Sequence, residues 1–187
     1  MNSLQEVYLD NNPFASWEIP ETIKEATSLK NLSLVNCNLA ANTFWGPIPD
    51  LSGLQSLRLF NVRENQLTGL VPPSFTGLKS LTVVNLTNNC FQGPTPLFDN
   101  SLAWDYLFWN FAKLTSLETI NLSNNQLTGS IPTELTTLPR LRTLDVSNND
   151  IHGDVPKFSA SVTVLTTGNV NIGPVSPTGW KSFRNRI

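Results

Sequence analysis

The stretch Leu117-Glu118-Thr119-Ile120-Asn121-Leu122-Ser123-Asn124-Asn125-Gln126-Leu127-Thr128-Gly129-Ser130-Ile131-Pro132 recurs 24 residues later. There it reads Leu141-Arg142-Thr143-Leu144-Asp145-Val146-Ser147-Asn148-Asn149-Asp150-Ile151-His152-Gly153-Asp154-Val155-Pro156. Aliphatic residues, one asparagine, one glycine and one proline keep their places. Two earlier copies keep them too: Leu57, Phe60, Val62, Asn65, Leu67, Gly69, Val71, Pro72, and Leu81, Val84, Leu86, Asn89, Phe91, Gly93, Thr95, Pro96. Eight matched positions in register four times mark a repeat architecture.

Working outward, the pattern loosens. Leu4, Val7, Leu9, Asn12 and Phe14 open a first copy, in which Ile19-Pro20 arrives one residue late. Leu29, Leu32, Leu34, Cys37 and Leu39 open a second, but Leu34, Cys37, Leu39, Asn42, Phe44, Gly46, Ile48 and Pro49 also match, so two registers compete. Six copies therefore start near 4, 29, 57, 81, 117 and 141. The steps of 28 and 36 residues mark insertions or rejoined sequence, the larger at 99–110. After Pro156 the pattern decays; Val162 and Val164 could add a last strand. The expected organisation is a solenoid over 1–165 and a flexible tail over 166–187.

Each copy reads as one coil of an α/β-type repeat solenoid, a short right-handed coil with a parallel sheet on its concave face. The Leu-x-Leu alternation predicts a short strand with leucines inward and their neighbours outward. The asparagine after it stands where the chain turns into the core, so its amide can satisfy backbone groups of adjacent coils. Glycine allows the next tight turn, and proline fixes φ while removing a donor that no sheet uses. No coil buries enough to fold alone; a stack can. Cys37 and Cys90 stand about two coils apart, roughly 10 Å, beyond the ~7 Å reach of a disulfide.

Composition narrows the function. Leucine (27) and asparagine (22) supply over a quarter of the 187 residues, and only 14% are charged. A net charge of −2 lacks the basic footprint of a nucleic-acid binder. No apolar run approaches the ~20 residues of a membrane span, and Met1-Asn2-Ser3-Leu4-Gln5-Glu6 does not read as a signal peptide. No catalytic motif is present, the acidic residues are scattered over different coils, and His152 falls in a turn. Neither an enzyme nor a metal or other cofactor is expected.

The Gly-x-Ile-Pro ending resembles the plant-type leucine-rich repeat. Leu9-Asp10-Asn11-Asn12-Pro13-Phe14-Ala15-Ser16-Trp17-Glu18-Ile19-Pro20, Val83-Val84-Asn85-Leu86-Thr87-Asn88-Asn89, Glu134-Leu135-Thr136-Thr137-Leu138-Pro139 and Thr143-Leu144-Asp145-Val146-Ser147 resemble the extracellular region of the transmembrane kinase (TMK) family of plant receptor-like kinases. The resemblance implies a cell-surface module that binds a protein or peptide ligand or a co-receptor. Family members also carry paired cap cysteines, a non-repeat island, a membrane span and a kinase. This sequence shows none of these, and reads as a shortened or fragmentary relative. The alternatives are a secreted repeat inhibitor of a foreign enzyme and a degenerate fragment with no binding role.

Solenoids bind partners on the concave sheet. The residues beside the inward leucines include Tyr8, Asp10, Asn31, Ser33, Arg58, Asn61, Arg63, Thr82, Asn85, Glu118, Asn121, Arg142 and Asp145. Arg58, Arg63 and Arg142 among mostly small polar residues hint at contact with an anion or an acidic peptide; a merely solvated face is the plain alternative. Asn31, Asn85 and Asn121 begin N-x-S/T sequons, which are glycan acceptors in a secreted chain or simply what the repeat spells. In the insertion, Trp104, Tyr106, Phe108 and Trp109 exceed what the core needs, since Phe111 and Leu114 fill the places of Leu135 and Leu138. Trp104 and Trp109 thus belong to a local plug, to a docking patch for a partner or the missing island, or to a misjoined exon with no evolved role.

Overall fold

A computed structural model describes residues 3–12, 17–35, 44–92 and 111–173. In every coil the residue between two outward side chains points into the core, and these short segments are the strands. They are β1 (Glu6–Tyr8), β3 (Asn31–Ser33), β5 (Leu59–Asn61), β7 (Val83–Asn85), β9 (Thr119–Asn121), β11 (Thr143–Asp145) and β13 (Thr163–Leu165). All seven pair in parallel, in chain order. The register stacks Val7, Leu32, Phe60, Val84, Ile120, Leu144 and Val164. The inner five are buried, whereas Val7 and Val164 at the two ends are half-buried.

About six coils were expected; among the described residues seven strands join the sheet. β13 is the strand that Val162 and Val164 foreshadow, and the stack continues past residue 165: Asn169 is buried and β14 (Asn171–Ile172) pairs with the coil before it. The chain beyond 173 lies outside the described residues.

The asparagine ladder forms as expected. Asn65 Nδ2 donates to the carbonyls of Leu34, Val62 and Arg63, and Asn89 Nδ2 to those of Val62, Leu86 and Thr87. Asn125 and Asn149 do the same one and two coils on. Each Oδ1 accepts the amide of an apolar residue in the preceding coil: Phe44, Leu67, Phe91 and Leu127 in turn. Asn169 adds a further rung, taking the Ile151 amide at 2.8 Å and donating to the Val146 carbonyl at 2.9 Å. Every rung thus closes backbone groups of its own coil and of the coil before it.

Beyond the ladder lies a second set of strands where only turns were expected. β2 (Trp17–Glu18), β4 (Phe44–Gly46), β6 (Gln66–Gly69) and β8 (Cys90–Phe91) form one parallel sheet; β10 (Thr128–Gly129), β12 (Asp150–Gly153) and β14 form another. A bridge from Gln92 to Gln126 connects the two. His152, expected in a turn, is therefore an exposed residue of β12.

The outer side is built from 3₁₀ turns at Glu21–Glu25, Pro73–Gly77 and Thr133–Thr137. The prolines before them, Pro20, Pro72 and Pro132, have φ of −67°, −68° and −74°, the value the ring imposes. Phe111 and Leu114 are buried like Leu135 and Leu138. Phe60, Phe75 and Phe111 meet edge to face, with ring centroids 5.5 and 6.0 Å apart.

Both irregular steps now have a place. The strand of the second coil follows the register starting at Leu29, and its exit at Phe44–Gly46 follows the one starting at Leu34. The surplus lies between Val35 and Phe44. The larger surplus lies between Gln92 and Phe111. Cys37, Trp104 and Trp109 fall in these stretches, outside the described residues; Cys90 carries a free, half-buried thiol.

Candidate recognition surface

Because the sheet is parallel and in register, equivalent side chains of successive coils form columns about 4.8 Å apart. Columns at the strand exit are tied down internally. Asp10 accepts Ser33 Oγ (3.0 Å) and the Val35 amide (2.8 Å), clasping the first coil to the second. Asp145 Oδ1 accepts the Ser147 amide at 2.9 Å and its hydroxyl at 2.6 Å. Asn121 makes the same pair of bonds with Ser123, and Asn85 accepts the Thr87 amide. An aspartate does here what the two sequon asparagines do, so this position serves the turn whatever its state of glycosylation. Asn31 differs from them. It begins its strand instead of ending it, and its Nδ2 donates to Glu6 Oε1 at 2.9 Å.

Columns at the strand entry are tied only in part: Lys30 Nζ donates to Gln5 Oε1 at 2.8 Å and Thr82 Oγ1 to the Arg58 carbonyl at 2.9 Å. A chain of backbone bonds runs through Gln5, Lys30, Arg58, Thr82, Glu118 and Arg142, each amide donating to the carbonyl before it at 2.7–2.9 Å. It sets Arg58, Glu118 and Arg142 in one row with Lys30, which the sequence did not single out. Arg58 and Arg142 are exposed, and Glu118 is half-buried. Tyr8, 53% exposed, stands on the same sheet. Arg63 sits at the exit side, loosely paired with Glu64 at 3.7 Å.

Lys79 and Arg140 flank this row, so its cations are Lys30, Arg58, Lys79, Arg140 and Arg142 against the single acid Glu118. The exit side carries Asp10, Glu64, Asp145 and Asp150 against Arg63. At the far end of the entry rim, Glu118, Pro139, Arg140, Leu141, Arg142 and Ser161 line a cavity of about 340 Å³. Arg140 escaped the sequence reading because it precedes the repeat's first leucine. The signal for it was the Arg-Leu-Arg alternation about a core position. Among the described residues there is no cluster of three or more metal-ligating side chains, and no helix is long and apolar enough to cross a membrane.

One strand per coil in a parallel concave sheet, an asparagine ladder and a Gly-x-Ile-Pro exit together define a plant-type leucine-rich-repeat solenoid. Family models for leucine-rich repeats match residues 3–26, 56–78 and 115–157. The chain belongs to the leucine-rich-repeat proteins, and the curated proteins it resembles include plant receptor-like kinases. It is 63% identical over 60 residues, 32% of its length, to the receptor protein kinase WSS1 of Oryza sativa subsp. japonica. To the receptor-like kinase TMK2 of Arabidopsis thaliana it is 33% identical over 74% of its length. It spans only 6% and 17% of those two proteins. Among solved structures, the Arabidopsis receptor kinase HAESA in complex with the peptide hormone IDA and the co-receptor SERK1 superposes with a TM-score of 0.73 at 27% identity, over 95% of this chain and 28% of that one. A plant ice-binding protein does so at 0.72 and 27%, over 91% of this chain and 51% of that one.

Proposed function

We propose that this chain is part of a plant receptor ectodomain that recognises a protein or peptide ligand, or a co-receptor, along its seven-stranded sheet at the cell surface. The observation that carries the reading is the division of the sheet: exit columns are bonded internally, whereas at the entry Arg58 and Arg142 stand exposed with no ion pair among the described residues. A structural role for Arg58 and Arg142 would have bonded their side chains to other residues, as Asp10 is bonded to Ser33 and Asp145 to Ser147. Likeness to ectodomains solved with peptide ligands supports the same reading. Trp104 and Trp109 join the proposal as candidate partner contacts, and Asn31, Asn85 and Asn121 as candidate glycan sites on secretion.

Selection of displayed random peptides on the immobilised chain tests it. Binders should lose capture when Tyr8 and Arg58 become alanine and keep it when His152, on the second set of strands, does. Binders indifferent to the first pair but lost with the second would move recognition off the concave sheet.

A further inference from the structure

At the end of each strand of the concave sheet the five inner coils place a polar residue: Ser33, Asn61, Asn85, Asn121 and Asp145. The two outermost strands depart from this. β1 ends on Tyr8, 53% exposed, and β13 on Leu165, 44% exposed. The core is incompletely covered at the same two places. Of the partly buried apolar residues packed against it, Val7, Leu9 and Ile23 belong to the first coil, and Phe158, Val162, Val164 and Ile172 to the last. The backbone has an edge at both places too. Gln5 and Leu9 bond across to the second coil, and Thr163 and Leu165 to the sixth. Alternate residues of a strand turn their backbone groups to opposite edges, so Glu6 and Tyr8 of β1 and Val164 of β13 face away from every strand of the described sheet.

We propose that copies of this chain associate head to tail, the β13 edge of one against the β1 edge of the next, so that the parallel sheet runs on from molecule to molecule. The inference needs no ligand and stands apart from the recognition reading. A second copy fits both faces at once, because β13 presents to β1 the edge that every inner strand presents to its successor. In that register Val164 falls in line with Val7, and Leu165 beside Tyr8, an apolar pair in a column that is polar in every inner coil. Charge selects the same arrangement. Residues 1–26 carry Glu6, Asp10, Glu18, Glu21 and Glu25 against Lys24, whereas from 157 onward the sequence holds Lys157, Lys181, Arg184 and Arg186 and no acid. Head against head would set acid on acid; head against tail pairs opposite signs. Such a contact is heterologous and leaves a free face at each end, so it builds a series of oligomers in place of a single dimer.

Sedimentation velocity of the full chain, from low to high micromolar concentration, tests the arrangement. The wild-type chain should form a concentration-dependent series beyond the dimer, weaker at physiological than at low ionic strength. Tyr8→Asp blocks the head and Leu165→Asp the tail. Each alone should weaken association about tenfold or more, because a charge then faces an apolar partner. Mixed in equal amounts, the two should form a dimer and nothing larger: the intact tail of the first meets the intact head of the second, and both remaining faces carry aspartate. Circular-dichroism melting checks that each variant folds. If either melts early, Leu4→Asp and Val170→Asp, at residues 39% and 87% exposed on the same two coils, repeat the mixing. A monomeric wild-type chain, a blocked variant that associates as the parent does, or a mixture that stays monomeric or grows past the dimer would each overturn the head-to-tail contact. Association indifferent to salt would overturn it as well.

Discussion

At the scale of single residues, the doubled asparagine of each repeat performs two separate tasks. The second of the pair is the ladder rung, and the sequence announces it, because a polar residue fixed among buried aliphatics needs partners. Replacing Asn125 by leucine keeps the bulk but leaves the Phe91 amide and the carbonyls of Leu86, Leu122 and Ser123 without their bonds. At about 1–3 kcal/mol for each stranded group, that variant should melt well below the parent by circular dichroism. The first asparagine was not legible in the same way, since its reason lies in the backbone. Asn11, Asn88, Asn124 and Asn148 have φ of 53–56°, and Gly168 in the last coil 84°. Asparagine and glycine tolerate this left-handed conformation, which penalises other side chains. Glu64 holds the same position at φ 59°. Its pairing with Arg63 is exposed and offsets little. Glu64→Asn should therefore raise the unfolding free energy by about 0.5–1 kcal/mol in urea titration; an unchanged or lower midpoint would show that the glutamate is unstrained.

At the scale of elements, burial grades the strands. Leu144 lies in the sheet interior at 0% exposure, whereas the equivalent Val164 in β13 is half-buried. Leu144→Ala should cost about 2–5 kcal/mol, and Val164→Ala distinctly less, by the same titration. The first sheet was readable because its alternation about one inward residue is the strand period itself. The second set was not, because its strands are two to four residues long and end on the Thr-Gly and His-Gly pairs that also spell turns. Not every outer segment follows the 3₁₀ pattern: after Pro49 the chain turns instead on Asp50, whose carboxylate accepts the Ser52 amide and hydroxyl, both at 2.9 Å. These bonds, with a smaller contribution from Lys24, hold its pKa below the ordinary 3.8. A carboxyl lowered on folding stabilises the native state above its unfolded pKa, and that contribution disappears as the pH falls through the folded value. Asp50→Asn should thus melt slightly below the parent at neutral pH, and the two melting curves should converge as the pH drops below 3.8.

At the scale of the whole molecule, stability and the proposed recognition reside in different side chains. The core is one continuous cluster from Ile19 to Ile151, while Arg58, Arg140 and Arg142 stand outside it. Substituting these arginines with glutamine should leave the unfolding free energy within about 0.5 kcal/mol, so any loss of binding would be read without a folding correction. The scaffold was legible from sequence because each coil states it again. Which outward residues remain open was not, because that depends on whether a neighbour offers a complementary group: Asp10 accepts the Ser33 hydroxyl, and Arg142 finds no carboxylate among the described residues.

The longest irregularity in the spacing has a consequence for how such chains diversify. The fourth and fifth copies start 36 residues apart where the neighbouring steps are 24, yet β7 and β9 pair in register and Asn125 still takes the Phe91 amide at 3.1 Å. Exon shuffling or slippage at that point would change the spacing and leave the sheet uninterrupted. Lineages could thus gain or lose whole loops there under drift alone, while selection acts on the ligand-facing columns without having to re-establish their alignment.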